Sequence, residues 1–302
     1  MPCYHPVTAW RSRHVNPSGK VGLVFQEDKA APFSELQIPC GGCIGCRLDK
    51  SRQWMLRLMH EAKYHEQKSF LTLTYDDLQL PENGSLDKTH FQKFMKRLRK
   101  QHGGKLRYFM CGEYGDQTQR PHYHAILYGC DFSDRRPHSK GAKGDQIYIS
   151  ETLDRIWTHG NCYIGNVTPE SCGYVARYIM KKVTGEQAND HYGRINPATG
   201  EWYLLQPEYL AMSLKPGIGA TYYDEFKTDL YPSDFAISKG RELPVPKYYD
   251  RQLEKENPDL LETLKARRKA RAIKNKADNT PERLAVRKTI IQSKSKMLTR
   301  TL

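Results

Sequence analysis

The sequence His122-Tyr123-His124 could bind a divalent metal ion in this 302-residue chain. Side chains on one face of a β-strand recur at every second residue, so the two histidines point to one side and the tyrosine to the other. Ala125 and Leu127 continue the tyrosine side as an apolar face. Imidazole nitrogens are common ligands of divalent metals. The alternative interpretation is a surface strand that carries two ordinary histidines.

Glu113 is the candidate for a third ligand, because it ends the strand expected just before the histidines. Residues 105–113 and 122–129 predict two strands, and the turn-forming residues between them favour an antiparallel hairpin. In that hairpin Glu113 can lie directly across from the histidine pair. A carboxylate with two imidazoles suits Mn²⁺ or Mg²⁺ better than a structural zinc ion, which prefers thiolates. Open positions would remain for a phosphate oxygen and water.

Tyr174 and Tyr178 are candidate nucleophiles. Thr168 and Pro169 predict the N-cap and first residue of a helix that continues to about Lys182, and residues four apart share one helix face. A free phenol has a pKa of about 10 and is a poor nucleophile at neutral pH, so a nearby metal ion and ammonium group would favour the phenolate. The alternative is an amphipathic helix whose tyrosines only pack.

Lys181 is expected on the tyrosine face of the same helix, and Lys182 lies four residues after the second tyrosine. Either ammonium group could assist at a phosphate. Val175, Ile179 and Val183 are expected to form the neighbouring, core-facing stripe.

Cys40, Cys43 and Cys46 form a C-x-x-C-x-x-C motif, and the glycines between them allow tight turns. A tetrahedral zinc site needs a fourth ligand, for which Cys3 is the candidate, with His5 close behind. The spacing is also similar to that of iron–sulfur proteins, but no other feature supports a cluster. The alternative is a loop with unliganded thiols.

The sequence is strongly basic, with a formal net charge of +14, which suits a polyanionic partner such as nucleic acid. Residues 251–302 hold fifteen Lys and Arg against six Asp and Glu. Such a stretch is either a solvated, partly disordered tail or a segment that holds the DNA backbone. The basic residues expected to bind DNA are Arg177, Lys182, Lys265, Arg267, Arg268, Lys269 and Arg271.

A membrane partner is not favoured, because no apolar run is long enough to span a bilayer. The start of the sequence, MPCYHPVTAW, lacks the apolar region of a signal peptide, so we expect a cytoplasmic protein. In a reducing compartment we do not expect the eight cysteines to form a disulfide framework, and the clustered ones are better interpreted as metal ligands.

Sequence periodicity predicts the elements that position these residues. Apolar residues near helical spacing indicate helices at residues 47–66, 87–101 and 150–158, whereas short β-prone runs indicate strands at 70–77 and 162–167.

Four segments are expected along the chain. They are an irregular Cys-rich segment (1–46), a core (47–185), an irregular accessory region (186–250) and a basic helical or disordered tail (251–302). Aromatic residues of the accessory region could stack on unpaired bases or simply form a core. They include Tyr192, Trp202, Tyr203, Tyr222 and Tyr223.

Taken together, the motifs resemble those of the HUH superfamily of rolling-circle replication initiators and relaxases. FLTLTYDD, PHYHAILYG and YVARYIMKK are similar to its first, second and third motifs, and the tyrosine pair is similar to its two-tyrosine branch. CGEYG, PCGGCIGCR and IGNVTPESCGYVARYIMKK resemble more closely the replication initiators of gokushovirus-type microviruses, which are small single-stranded DNA phages. The resemblance covers roughly residues 40–185.

The resemblance implies an α+β fold, with helices packed on a central antiparallel sheet of ferredoxin-like or RNA-recognition-like type. It implies an enzyme of the bacterial host cytoplasm that nicks one DNA strand, forms a 5′-phosphotyrosine bond and later recloses the strand. DNA at the replication origin would be its substrate, and a host helicase and polymerase its partners.

By the same resemblance, the metal ligands would be His122, His124 and Glu113, and the nucleophiles Tyr174 and Tyr178, assisted by Lys181. The third ligand of the superfamily is often His or Gln, so Glu113 is a departure. Two alternatives remain: a plasmid relaxase or single-strand transposase, and a non-catalytic zinc-containing binder of single-stranded nucleic acid. A transposase usually uses one tyrosine and a relaxase is usually fused to further domains, which favours replication.

Overall fold

The computed structural model of the chain describes residues 3–17, 19, 21–141, 144–178, 182–183 and 185–296. Lys181 lies outside these residues. The chain divides into two compact units. The terminal unit contains residues 1–49 and 266–299, and the central unit contains residues 50–265.

Helices and strands alternate along the chain in a mixed α+β arrangement. The strands are β1 (Val7–Val15), β2 (Val21–Val24), β3 (Ala30–Ile38), β4 (Lys68–Leu73), β5 (Arg107–Tyr114), β6 (Pro121–Tyr128), β7 (Arg136–Lys140), β8 (Gln146–Ile149), β9 (Cys162–Gly165), β10 (Gly193–Ile195), β11 (Trp202–Leu204), β12 (Tyr209–Met212), β13 (Phe235–Ser238) and β14 (Arg241–Pro244). The α-helices are α1 (Ile44–Ala62), α2 (Lys88–His102), α3 (Glu151–Trp157), α4 (Pro169–Arg177), α5 (Gln187–Tyr192), α6 (Ala220–Leu230), α7 (Lys247–Glu256), α8 (Pro258–Lys274) and α9 (Pro281–Lys296).

A seven-stranded antiparallel sheet forms the centre of the central unit, in the order β12-β5-β6-β4-β9-β8-β7. One face packs against α2 and α3, through residues such as Phe94 and Leu153, and the other packs against α1 and α4, through residues such as Leu58 and Val175. The predicted α+β fold with helices on a central antiparallel sheet is confirmed.

The amphipathic helix α2 begins and ends within one residue of the predicted bounds. Asp87 is its N-cap, and its side chain accepts a hydrogen bond from the backbone N–H of Thr89. The predicted apolar face is buried: Phe91, Phe94, Met95 and Leu98. Gly103 ends the helix with φ of 70°, a left-handed conformation that glycine adopts without strain.

The expectation that residues 1–46 are irregular is wrong. They contain a three-stranded antiparallel sheet in the order β2-β1-β3. Few of its side chains are buried, Ala9 and Ala30 among them, so the strands lack the strong apolar alternation by which a half-buried strand is recognised. Pro32 is tolerated because β3 is an edge strand.

The region at residues 186–250 is structured, contrary to the irregular character expected for it. β12 joins the edge of the large sheet by pairing with β5, and α6 and α7 build a further core with α1. Tyr223 and Tyr249 are fully buried in that core.

The basic C-terminal stretch is helical in its described part, which was one of its two predicted states. Leu261 and Leu264 are buried at the start of α8, and Leu284 is buried in α9. Among the described residues, no helix combines the length and the apolar character needed to cross a bilayer.

Candidate active site

Glu113, His122 and His124 meet on the face of the sheet that packs against α1 and α4. The predicted hairpin is confirmed, because Glu113 on β5 pairs in register with His122 on β6. Glu113 Oε1 lies 2.9 Å from Nε2 of His122 and 3.0 Å from Nε2 of His124. One ligand atom from each of the three residues lies within 4.8 Å of the others. The register of the two adjacent strands therefore brings one carboxylate and two imidazoles together at a single point.

A second set of contacts orients the two imidazoles. Nδ1 of His124 lies 3.0 Å from Oγ1 of Thr72 on β4, which is the residue paired with it across the sheet. Nδ1 of His122 donates to the carbonyl oxygen of Arg120 over 3.1 Å. With Nδ1 donating, Nε2 of His122 carries the lone pair that can bind a metal, and such partners also set the orientation of the ring.

Helix α4 and its C-cap residue Tyr178 place both predicted tyrosines against the metal-ligand group. The ring centroid of Tyr178 lies 5.3 Å from that of His124, with the planes 15° apart, and the ring of Tyr174 lies 5.1 Å from it at 86°. The two phenol rings are 4.8 Å apart. Their shared helix face, predicted from the spacing of four, therefore meets the histidine face of the sheet.

The start of α4 is fixed by its own sequence. The Thr168 side chain accepts from the backbone N–H of Ser171, and the Ser171 hydroxyl accepts from the backbone N–H of Thr168, which is a capping box. Pro169 occupies the first helical turn, as predicted. Glu170 forms an ion pair with Lys239, at the turn between β13 and β14.

The helix was expected to continue to about Lys182, and residues 179–181 of that span lie outside the described residues. Helix α4 ends at Arg177, and Lys182 and Val183 lie outside any helix. Val183 donates its backbone N–H to the hydroxyl of Tyr192 and packs against the opposite core, not the stripe begun by Val175.

Of the basic residues predicted near the tyrosines, Arg177 lies beside a tyrosine ring and Lys182 faces solvent. The guanidinium of Arg177 lies 5.8 Å from the ring centroid of Tyr174, and the side chain of Lys182 is exposed. Lys181, predicted to assist at the phosphate, and Ile179 lie outside the described residues.

Burial and charge set the protonation states of the group. Burial would raise the pKa of Glu113, but hydrogen bonds and charges from His122 and His124 outweigh it and hold that pKa well below its usual range. Burial, together with the Glu113 carboxylate, raises the pKa of Tyr174 to about 12 and raises that of Tyr178 further. Both phenols are therefore protonated at neutral pH in the absence of a cation.

The donor set fits a divalent cation. A carboxylate oxygen and two imidazole nitrogens on three neighbouring sheet positions form an open group, because the part of the chain that the structure describes supplies three ligands and not four. The negative charge of Glu113 raises the pKa of both tyrosines. A cation bound there would counter that charge and so lower the two tyrosine pKa values.

Thr72 and Phe70 belong to the site but received no role from the sequence. Phe70 is buried, and its ring lies 5.6 Å from His124, nearly parallel, and 6.2 Å from Tyr174. On β4 these two residues alternate with Leu71 and Leu73, which belong to the core on the opposite face of the sheet. The period of two along this strand could therefore have placed Phe70 and Thr72 on the face of the site.

The other predicted functional groups lie elsewhere in the chain. Cys3, Cys40, Cys43 and Cys46 come together in the terminal unit. Lys265, Arg267, Lys269 and Arg271 are exposed on α8, and Arg268 is partly exposed. Of the aromatic residues considered for base stacking, Tyr192 and Tyr223 are buried core residues, whereas Trp202 is exposed.

Comparison with known proteins identifies the family. The chain is 31% identical over 269 residues to the replication-associated protein VP4 of Bdellovibrio phage phiMH2K, covering 86% of this chain and 79% of that protein. It is 33% identical over 274 residues to the replication-associated protein ORF2 of Spiroplasma virus 4, covering 85% and 78%. The chain belongs to the family of phage replication-associated proteins. The resemblance to replication proteins of small single-stranded DNA phages is thereby confirmed.

Two further comparisons agree. The family model for replication-associated protein ORF2/G2P matches residues 68–183, which run from β4 beyond the tyrosine helix. The replication-associated protein ORF4 of Chlamydia phage 1 is 35% identical over 153 residues, covering 48% of this chain and 38% of that protein. No solved structure matches the chain significantly.

Proposed function

We propose that this replication-associated protein initiates DNA replication by nicking one strand at the origin through tyrosine attack. One observation carries the proposal: the phenols of Tyr174 and Tyr178 both pack against His124, which shares the Glu113 carboxylate with His122. A candidate nucleophile pair and a candidate metal site thus adjoin in a protein whose relatives are replication-associated proteins of phages. The proposed substrate is single-stranded DNA in the host cytoplasm.

In the proposed reaction, the phenolate oxygen of one tyrosine attacks a backbone phosphorus atom. A bond forms between Oη and phosphorus, and the bond from phosphorus to the 3′ oxygen breaks. One fragment leaves with a 3′-OH after taking up a proton, and the other remains attached through a 5′-phosphotyrosine. The phenol supplies one proton and the leaving oxygen accepts one, so no further reactant is required.

The residues of the site have separate tasks in this reaction. Glu113, His122 and His124 would hold Mn²⁺ or Mg²⁺, which when bound polarises the scissile phosphate and stabilises the phenolate. Thr72 and the carbonyl group of Arg120 hold the imidazoles in the orientation that directs Nε2 to the shared carboxylate. Helix α4 and its C-cap residue present the two phenols to the same imidazole.

The second tyrosine gives the site a way to reclose a strand. After a round of synthesis, it can attack the regenerated origin and form a second phosphotyrosine. The 3′-OH released by that cut then attacks the first phosphotyrosine, breaks the bond between Oη and phosphorus, and joins the displaced strand into a circle. Extension of the first 3′-OH requires a polymerase, and strand separation a helicase, which we expect the host to supply.

The alternatives make different predictions. A non-catalytic zinc-containing binder forms no covalent bond to DNA. A relaxase or a single-strand transposase shares the chemistry, but the phage relatives, matched over more than three quarters of their length, favour replication. The tyrosine pair supports the same choice, since strand transfer during replication uses two nucleophiles.

The direct test is a covalent adduct. Single-stranded oligonucleotides that tile the genome encoding this chain are incubated with the protein and Mn²⁺ and then denatured. With a 3′-terminal label, we expect one oligonucleotide to migrate with the protein, because the protein holds the 5′ end of the downstream fragment. With a 5′-terminal label, the same oligonucleotide should yield a shortened product that a polymerase extends.

Two controls separate the nicking enzyme from the binder. Glu113→Ala should lose the adduct, because it removes one of the three proposed metal ligands. Tyr148→Phe should retain it, since Tyr148 packs on the opposite face of the sheet from the site. A protein that binds the oligonucleotides but yields neither adduct nor shortened product would be a binder, and the proposal would be wrong.

A further inference from the structure

Four cysteines from two distant parts of the chain meet in the terminal unit. Cys3 stands at the start of the chain, whereas Cys40, Cys43 and Cys46 connect β3 to the first turn of α1. Their four Sγ atoms lie within 4.8 Å of one another, and all four side chains are partly buried. The remaining four cysteines are buried in the central unit. This grouping requires an explanation beyond packing.

The distances fit one metal ion and not a disulfide. A zinc–thiolate bond of about 2.3 Å places two ligands of a tetrahedral site about 3.8 Å apart. Sγ of Cys43 lies 3.8 Å from Sγ of Cys3. A disulfide would bring two sulfur atoms to about 2.05 Å. An iron–sulfur cluster distributes its thiolates over separate iron atoms, whereas these thiols surround a single point.

Backbone N–H groups donate to the sulfur atoms of Cys3, Cys40 and Cys43, which stabilises these sulfurs as thiolates. The N–H of Cys40 donates to Sγ of Cys3 over 3.2 Å, and that of Cys43 donates to Sγ of Cys40 over 3.3 Å. The N–H of Tyr4 donates to Sγ of Cys43 over 3.3 Å. Gly41 adopts φ of 76°, which permits the tight turn between the first two ligands of the motif.

The segment that contains Cys3 also contacts the C-terminal helix α9. His5 follows the first cysteine by two residues, and its Nε2 lies 2.9 Å from Nζ of Lys288 on α9. Tyr4 and Leu284 are both buried in this unit, which has few other buried apolar side chains. The terminal unit therefore has little apolar core with which to hold α9.

We propose that Cys3, Cys40, Cys43 and Cys46 bind one zinc ion in a closed tetrahedral site that fixes α9 to the start of the chain. All four positions are occupied by thiolates, so no position remains open for substrate, and the role is structural. Zinc then supplies the stability that a small apolar core does not, as metals do in small domains. This site is independent of the nicking reaction.

Metal analysis of the full-length protein is the first test. The protein should contain about one zinc ion per chain after purification without added zinc. The Cys40→Ser, Cys43→Ser double variant should lose it. Cys130→Ala, a control that removes a buried thiol outside the cluster, should retain it. The triple variant Glu113→Ala, His122→Ala, His124→Ala should also retain it, which separates this site from the proposed catalytic one.

Further measurements keep the proposal testable if the double variant does not fold. Wild-type protein loaded with Co²⁺ should show the absorption of a tetrahedral cobalt–thiolate site. Removal of zinc with a chelator should increase trypsin cleavage within α9 severalfold, while cleavage within α2 stays unchanged. Iron in place of zinc, zinc retained in the double variant, an octahedral cobalt spectrum, or unchanged cleavage of α9 after zinc removal would each overturn the proposal.

Discussion

The phenol ring of Tyr178 lies parallel to the imidazole of His124, with their centroids 5.3 Å apart. Tyr174 approaches the same imidazole edge-on. His124 also lies 3.0 Å from Glu113 through Nε2 and 3.0 Å from Thr72 through Nδ1. One imidazole therefore joins the candidate nucleophiles to the candidate metal ligands, and the orientation of this ring is decisive for the proposed chemistry.

Replacing Thr72 with Val should weaken the site without disturbing the fold. The substitution nearly preserves shape but removes the hydroxyl that contacts Nδ1 of His124. Outer partners of metal-binding histidines are typically worth about 10–100-fold in metal affinity or activity. We expect a loss of that size in Mn²⁺ affinity, measured by calorimetry, and a matching fall in the rate of nicking.

Thr74→Val is the matched control for that substitution. It removes a hydroxyl, one residue beyond the end of β4, that donates to the carbonyl of Asn161 and not to an imidazole. Mn²⁺ affinity should be unchanged in this variant. Equal losses in the two variants would mean that Thr72 acts through strand stability and not through His124.

Neutralising the exposed basic residues of α8 should reduce the salt dependence of DNA binding. Each contact with a phosphate of a single strand contributes a slope of about 0.7 in log Kd against log salt concentration. Changing Lys265, Arg267, Lys269 and Arg271 to Gln should therefore lower the slope by up to about 3. Fluorescence anisotropy with a labelled oligonucleotide over a salt series measures this slope.

Four exposed basic residues on α2 provide a control with the same change in net charge. They are Lys93, Lys96, Arg99 and Lys100. Helix α2 packs on the face of the sheet opposite to the site, so their replacement by Gln should change the slope much less. An equal change in both variants would assign the effect to overall charge and not to α8.

Glu61 should be among the most sensitive buried positions of the fold. Its carboxylate lies 2.5 Å from Nε of Arg107 and accepts a hydrogen bond from the backbone N–H of Gly219. Removing one partner of a buried ion pair typically costs about 3–5 kcal/mol, because the other charge is left unpaired. We expect Glu61→Ala to lower the free energy of unfolding by about that amount in denaturant titrations.

The exposed neighbour Glu66 serves as the reference for this position. Glu66→Ala should change the free energy of unfolding by less than about 0.5 kcal/mol. If Glu61→Ala were as mild, the carboxylate would have no structural role at the junction of α1, β5 and α6.

Stability should fall with acidification because of His60. Burial, reinforced by the charge of Lys63, lowers the pKa of His60 to about 3, and its ring stacks on Tyr222 while Nδ1 lies 2.9 Å from the hydroxyl of Tyr249. In the unfolded chain the pKa is about 6.5. Between these values the unfolded state binds one more proton, so unfolding becomes easier by about 1.4 kcal/mol per pH unit as pH falls.

His60→Asn tests this contribution. Asparagine can keep a polar atom near the position of Nδ1 but does not titrate, so the fall in stability between pH 6.5 and about 3 should become shallower by about one proton. His191→Asn, at an exposed position, should leave the pH dependence unchanged. A slope that is the same in wild type and His60→Asn would show that His60 does not resist protonation.

Local signals in the sequence predicted the elements of the site. The hairpin register that pairs Glu113 with His122 follows from the period of two and the turn residues between the strands. The start of α4 follows from its cap at Thr168 and Pro169. These features depend on neighbouring residues only, so they can be recognised without knowledge of the fold.

Features that depend on distant partners were not predictable in the same way. β12 is four residues long and gains its partner β5 about a hundred residues earlier in the chain. Val183, beyond the end of α4, donates its backbone N–H to Tyr192, whose hydroxyl in turn donates to Glu208. The sheet of the terminal unit buries few side chains, so its strands carry little periodic signal.

The most direct test of the central claim is to identify the residue bonded to DNA. The protein–DNA adduct is digested with nuclease and protease, and the peptide that retains a nucleotide is sequenced by mass spectrometry. We predict the modification on Tyr174 or Tyr178, and we predict that the Tyr174→Phe, Tyr178→Phe double variant forms no adduct while still binding DNA. A modified residue elsewhere, or an adduct that persists in the double variant, would contradict the account.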